Sequence, residues 1–502
     1  MTSYLSRQNL GLLSNFCFYF LNTFLSIAFT PIYLSQIGNE GYGVIGFFNS
    51  ATAMLSLLDF GIPVAISREF AKSSLIAVER TRKENLLRTA EVVFLFIFLA
   101  SLLISYFTSI FFANFWVTPK DLTVDQIMVC FLLMSISFSL QLFGTIYSSS
   151  LLGLSEHLAL NSILIIHLIF RHVGSLVVLA ASDQKLYSFL AWQILIVALQ
   201  NFTLSFFTWR KVGGFFSSRV ELSLLKPFHR FSSGVFIVTF LNLLGMNLDK
   251  LLVGKIVDLE SLSYYTFSAG IISLIFNILV SPFYNVSYPT FSSLSTSGDH
   301  KNLCKEYHGF CQKVALLVIP VGIFVSTFSE DLLIVWLRNN SFAENASPIL
   351  SVLSITWIFL SLKVIPYRLR LAYGWIRLDV IENLFFILYL IIILPLLISY
   401  YGSLGAAYSL LIFGFISCFF TVFLTHTKIL KGEYKNWLIL IIPFFLISVI
   451  IFFLSKLACS SVESPLTKIG IAFIFLVFNI ILLFTLAKSL KKNVNLLPRL
   501  WR

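Results

Sequence analysis

Long apolar runs separated by short polar breaks fill this chain. They fall near 10–34, 42–66, 90–113, 127–152, 159–181, 188–209, 231–257, 264–290, 314–336, 347–367, 380–400, 405–425, 437–455 and 467–487. A run of about 20 apolar residues carries a helix across the hydrocarbon core of a bilayer. Inside lipid a crossing backbone must satisfy its own hydrogen bonds, which a helix does residue by residue. The pattern predicts an all-α polytopic membrane protein with about 14 transmembrane helices, one per run.

Composition agrees, with 58% hydrophobic and 12% charged residues, where a soluble domain has about a quarter charged. The net charge of +12 suggests a nucleic-acid partner until its placement is read. Lys and Arg concentrate on alternate connections: Arg68 to Arg88, Arg210 to Arg230, Lys301 to Lys313, Arg368 to Arg377, Lys428 to Lys435, and the tail from Lys488 to Arg502. The intervening connections carry only Lys120, Lys185, Arg338 and Lys456. This is the bias that marks cytoplasmic loops. Both termini are expected in the cytoplasm, and the excess reads as topology and contact with anionic lipid headgroups rather than as nucleic-acid binding.

Six cysteines are scattered, several within the runs (Cys17, Cys130, Cys418), so no disulfide framework is implied. Cys304 and Cys311 share a loop without further ligand-like spacing, and no metal site is expected. The first run is too long for a signal-peptide core and is expected to stay as a helix. The longest outward connections, near 114–126, 337–346 and 456–466, are too short for a catalytic domain, so the protein is not expected to be an enzyme. An intramembrane polysaccharide polymerase is the less favoured alternative. No Gly-Lys-Ser/Thr phosphate loop occurs, which removes ATP hydrolysis as the drive.

A faint repeat is legible. Gly38-Asn39-Glu40-Gly41-Tyr42 leads on to Pro63, and Asp258-Leu259-Glu260 with Tyr264-Tyr265 leads on to Pro282. Both are tight acidic outward turns entering the membrane through aromatic residues. The repeat suggests an N-terminal six-helix bundle (1–210), a cytoplasmic linker (211–230), a second six-helix bundle (231–426) and a C-terminal helix pair with a basic tail (427–502). A parallel repeat of this kind places a site at the interface of its halves.

Several segments together resemble a family. They are Pro31-Ile32-Tyr33-Leu34, Gly38 to Val44, Leu58-Asp59-Phe60-Gly61-Ile62 and Ser67-Arg68-Glu69-Phe70-Ala71 in the first half. In the second half they are Asn247-Leu248-Asp249-Lys250, Tyr288-Pro289 and Gly402 to Ala407. In order and spacing the chain is similar to the Wzx-type O-antigen and polysaccharide-export flippases of the multidrug/oligosaccharidyl-lipid/polysaccharide exporter superfamily. The resemblance covers roughly the first 425 residues. It implies a MATE-like pair of bundles in the bacterial inner membrane that flips an undecaprenyl-pyrophosphate-linked oligosaccharide from the cytoplasmic to the periplasmic face. It also implies membrane lipids and the polymerase and chain-length regulator of the same pathway as partners. The physics fits: each unpaired hydroxyl taken into hydrocarbon costs about 4–8 kcal/mol, so sugars need a polar passage while the lipid tail stays in the bilayer. No cofactor is expected. Two charges on a pyrophosphate leaving an inside-negative cell release about 4–5 kcal/mol per 100 mV, so the membrane potential suffices in sign, with H+ or Na+ coupling as the alternatives.

Ionisable groups within spans are functional candidates by default. Arg171 leads, flanked by His167 and His172, because a guanidinium grips phosphate oxygens in a fork; the alternative is a structural Arg bonded to a neighbouring helix. His167, one turn away, either titrates near neutrality or is an interhelical donor. Asp249 and Lys250 lie on the outer half of span seven, after Asn242 and Asn247. Lys250 either meets a pyrophosphate or neutralises Asp249. Asp59 sits in the inner part of span two. Arg68 and Glu69 at its end form a breakable ion-pair gate or a helix-end anchor. Lys363 snorkels to the inner surface or joins the gate. Glu91, Asp379 and Glu382 read as helix-start residues that suit the dipole. Tyr42, Tyr264 and Tyr265 are the candidates for stacking on sugars, while most other aromatics form the interfacial belt. A multidrug extruder of the same superfamily is the rival reading. It would use an acidic cation site, whereas Arg171, Lys250 and Lys363 favour an anionic substrate.

Overall fold

A computed structural model describes residues 2–55, 59, 61–71, 77–224 and 229–494. Its helices are α1 (Thr2–Ile37), α2 (Asn39–Leu55), α3 (Ile62–Ala71), α4 (Ala77–Phe115), α5 (Val124–Gly153), α6 (His157–Ala181), α7 (Lys185–Val212), α8 (His229–Ile256), α9 (Leu259–Ser297), α10 (His300–Thr327), α11 (Ser329–Leu337), α12 (Asn340–Leu362), α13 (Val364–Ala372), α14 (Ile376–Tyr401), α15 (Ser403–Lys428), α16 (Tyr434–Ala458) and α17 (Pro465–Val494). Among the described residues the only β pairing is an isolated bridge between Thr118 and Asp258. Twelve stretches of described helix are long and apolar enough to cross a membrane. α8 occupies the run at 231–257, and α2 with α3 the run at 42–66. The all-α polytopic expectation therefore holds.

Two runs are broken rather than straight. α2 stops at Leu55 and α3 restarts at Ile62, after Gly61 at φ 69°. That left-handed backbone suits a residue without Cβ. Near Pro366, α12 ends at Leu362 and α13 begins at Val364; proline offers no N–H to the ladder and crowds the carbonyl four residues back. Another run is longer than its apolar part: α4 begins at Ala77, so its first turns form a charged extension ahead of the membrane.

Contacts divide the chain into two compact units, 1–263 and 264–502. In the first, α3, α4, α5, α6 and α7 enclose a cluster that includes Ile66, Phe70, Leu87, Phe94, Ile146, Leu151 and Leu204. Lipid tails are as apolar as these side chains, so close packing drives such helix pairs rather than escape from water. The segment after α7 straps back onto the charged extension of α4. Gly213 and Gly214, both at positive φ, let it turn. Arg88 then holds it, bonding the Phe215 carbonyl at 2.7 Å and lying over the rings of Phe215 and Trp209. Asn85 donates to Glu221 at 2.6 Å and accepts from the Arg219 amide at 2.8 Å.

At the other end of this unit the α4–α5 connection is locked in place. Glu40, only 5% exposed, accepts the backbone amides of Lys120, Asp121 and Leu122 at 2.6, 2.7 and 2.8 Å. The Lys120 ammonium reaches Asp258 at 3.2 Å and Glu260 at 3.6 Å, and Asn39 donates to Glu260. Burial pushes the Asp258 carboxyl up, but the Ser261 amide and Lys120 outweigh it and leave it below the usual carboxylate range. Trp116 Nε1 donates to the Leu251 carbonyl at 2.9 Å, which ties the same connection to α8.

In the second unit α10 packs against α12, α16 and α17. Its buried side chains include Tyr307, Cys311 and Val318. His308 bonds Glu433 at 2.9 Å at the α15–α16 turn. That bond, to which Asn436 adds, holds the Glu433 carboxyl below its ordinary range.

Candidate functional site

Four constellations carry the expected residues. The first lies on α1, α6 and α7. His172 is buried, and its Nδ1 is 2.8 Å from the Tyr33 hydroxyl, which also meets Ser175 at 2.9 Å. His167 Nδ1 is 2.8 Å from the carbonyl of Ile163, one turn back, and its Nε2 is 3.4 Å from Thr203 on α7. Both histidines are thus engaged in helix-to-helix bonding. Arg171, between them, is half-buried and has neither a carboxylate nor a hydrogen-bond partner among the described residues.

The second constellation is on α8. Lys250 Nζ donates to the Met246 carbonyl at 3.0 Å and lies 3.6 Å from Asp249, which is buried. Of the two expected roles for Lys250, the structure presents neutralisation of its neighbour. Asn247 donates to the Leu243 carbonyl at 2.9 Å, a bond within its own helix. The side chain of Asn242 lies outside the described residues.

The third is the α2–α3 turn and the start of α4 in the first unit. Asp59 accepts the Gly61 amide at 2.8 Å, which makes it part of the break between α2 and α3. Arg68 is exposed, and Glu69 pairs instead with Arg82 on α4 at 3.0 Å. In place of the expected Arg68–Glu69 gate pair, Arg82 approaches Glu69 from α4 and bridges α3 to α4.

The fourth was not anticipated. Lys363, at the α12–α13 junction, donates to Glu382 Oε1 at 2.9 Å and Ser417 Oγ at 2.6 Å. Arg370, 1% exposed, bonds the other oxygen of the same carboxylate at 2.8 Å. Ser417 and Thr421 on α15 also approach Oε1. The snorkelling read for Lys363 gives way to an interior pairing, since the break before Pro366 turns the ammonium toward α14 and α15. Glu382 is correspondingly not a solvated helix-start residue but the centre of a charged cluster. Glu91 differs in the same way. With α4 starting at Ala77 it lies mid-helix, accepting from Arg88, Tyr147 and Trp209 at 2.9, 2.9 and 2.6 Å. A sequence signal existed for the fourth cluster: Ser417 and Thr421 lie one turn apart in an apolar run, marking a polar face that needs a partner. The Asp379 side chain lies outside the described residues. Tyr264 and Tyr265 are buried, Tyr264 edge-on to Phe342 at 4.8 Å, so these two rings serve packing rather than sugar stacking.

Residues 37–342, more than half of the chain, match the family described as polysaccharide biosynthesis protein. No curated protein matches the sequence. Among solved structures the fold is similar to the lipid II flippase MurJ in an inward closed conformation, with a TM-score of 0.70 at 16% identity, covering 94% of this chain and 97% of that one. It is also similar to a multidrug resistance MATE family transporter of the MOP superfamily in an inward-facing conformation, with a TM-score of 0.67 at 12% identity over 84% of this chain and 95% of that one. A MOP superfamily transporter from Pyrococcus furiosus gives a TM-score of 0.54 at 12% identity, over 85% and 94%. At such identities the likeness is one of fold.

Proposed function

The chain belongs to the polysaccharide biosynthesis protein family, and from that premise we propose that it flips an undecaprenyl-pyrophosphate-linked oligosaccharide, an O-antigen or related repeat unit, from the cytoplasmic to the periplasmic face of a bacterial inner membrane. The observation that carries this reading is Arg171. A guanidinium in a spanning helix is unfavourable without a counter-charge, and Lys250, Lys363 and Arg370 each have a carboxylate. Arg171 has none among the described residues, which leaves its fork for an anionic headgroup. Two half-molecule units with the MurJ and MATE fold suit alternating access, in which the polar head passes through protein while the isoprenoid tail stays in lipid. Both termini then lie in the cytoplasm, and the membrane potential supplies the drive. A multidrug extruder is the second reading, favoured by the MATE likeness and disfavoured by an unpaired cation.

The test is the sidedness of lipid-linked oligosaccharide in cells lacking the protein, probed by a lectin or glycosidase applied from outside. Intact repeat units held on the inner face are expected. Normal outward exposure, with redundant transporters deleted, would return the question to drug export.

A further inference from the structure

The second unit holds an arginine that the expectations treated only as part of a basic loop. α13 carries two arginines two residues apart, and they part ways. Arg370 turns inward to Glu382. Arg368 turns to α9, where its Nε donates to the Tyr284 carbonyl at 3.1 Å. Its Cζ lies 3.7 Å from the centre of the Tyr284 ring and 5.0 Å from that of Tyr288. These tyrosines are one turn apart, so they form a single aromatic platform. A guanidinium over a ring face is held by the ring's quadrupole and keeps its terminal N–H groups at the edge, in the fork that fits phosphate. Among the described residues no carboxylate neutralises Arg368, and its two terminal nitrogens have no protein acceptor. Beside Tyr288 one open face of α9 carries Tyr288, Pro289, Ser292, Ser293, Thr296 and Ser297. Thr296 and Ser297 donate to helix carbonyls, and each hydroxyl keeps lone pairs to accept from a ligand. The basic first turns of α10, from Lys301 to Lys313, assign this end to the cytoplasmic side.

We propose that Arg368 on its tyrosine platform is a receiving site for the phosphate of an isoprenoid-linked saccharide at the cytoplasmic end of the second unit, with the adjoining hydroxyl-bearing face of α9 meeting the first sugar. This deepens the flippase reading above and rests on it. A phosphate can also belong to a membrane phospholipid, so the two sources are tested side by side. Purified full-length protein is titrated with undecaprenyl pyrophosphate and, separately, with phosphatidylglycerol, for wild type, Arg368→Ala and Arg368→Lys. Loss of a charge-assisted contact is expected to weaken undecaprenyl pyrophosphate about tenfold in Arg368→Ala, and less in Arg368→Lys, which keeps the charge but not the fork. Phosphatidylglycerol binding is expected to be unchanged. Equal weakening for both lipids would make Arg368 a headgroup anchor and overturn the proposal, as would unchanged binding of both. Should the Ala variant fail to fold, the Lys variant decides by the same comparison. Transport in proteoliposomes separates the two levels. A wild-type protein that moves no lipid-linked saccharide sinks the flippase reading, whereas normal transport by the folded Arg368 variants sinks only the receiving site.

Discussion

Arg171 and the histidines beside it illustrate how side-chain bonding sorts candidates that sequence alone leaves level. His167 spends both ring nitrogens, on Ile163 and Thr203, and His172 its Nδ1 on Tyr33, so they orient α6 against α7 and α1. Arg171 keeps its charge unneutralised among the described residues. Replacing it with Ala is expected to lower translocation about tenfold or more, as for a lost hydrogen bond to a charged group. Arg171→Lys is expected to retain part of the rate, with both proteins present in the membrane at wild-type amounts. Translocation assays on inverted vesicles decide it, and equal rates in all three forms would remove Arg171 from the substrate path. The sequence marked Arg171 because a charge inside an apolar run stands out. It could not mark its freedom, because whether a cation is neutralised depends on residues brought close only by the fold. Glu69 makes the same point, since its partner is Arg82 rather than the adjacent Arg68.

The elements were legible wherever apolar runs were continuous, and least so where a helix breaks or outlasts its run. α2 and α3 share one apolar run because a turn built on Asp59 and Gly61 interrupts it too briefly to end it. α4 starts well before its run because Asn85, Arg88 and Thr89 are bonded by the strap after α7, so polar helix is satisfied by tertiary contacts. The α12–α13 break has the largest consequence, as it delivers Lys363 and Arg370 to one carboxylate on α14. Removing one partner of a buried charge pair costs about 3–5 kcal/mol. Glu382→Gln strips Lys363 of its carboxylate and is expected to destabilise by about that amount. Lys363→Met leaves Glu382 bonded to Arg370 and is expected to cost less. Thermal unfolding in detergent ranks the two variants, and the reverse order would mean that Lys363 is the group holding the cluster together.

At the scale of the whole molecule, the all-α polytopic architecture followed from run lengths. Asp258, Glu260 and Lys120 could not be joined in advance, because they sit on connections more than 130 residues apart. If the transported head is an anion leaving an inside-negative cell, collapse of the membrane potential is expected to slow translocation while a pH gradient alone leaves it unchanged. Potassium-loaded vesicles treated with valinomycin provide the measurement, and full transport at zero potential would shift the drive to ion exchange. The α4–α5 connection carries one more consequence. Glu40 holds it by three peptide N–H groups, and every amino acid except proline offers that donor. The contact is therefore blind to what stands at positions 121 and 122, so those positions can drift under whatever selection acts on the exposed loop without unfastening it. The freedom is one-sided: Asp is a methylene too short for the same reach and Gln replaces an acceptor with a donor, so the tolerance of the loop is bought by the irreplaceability of a single buried carboxylate.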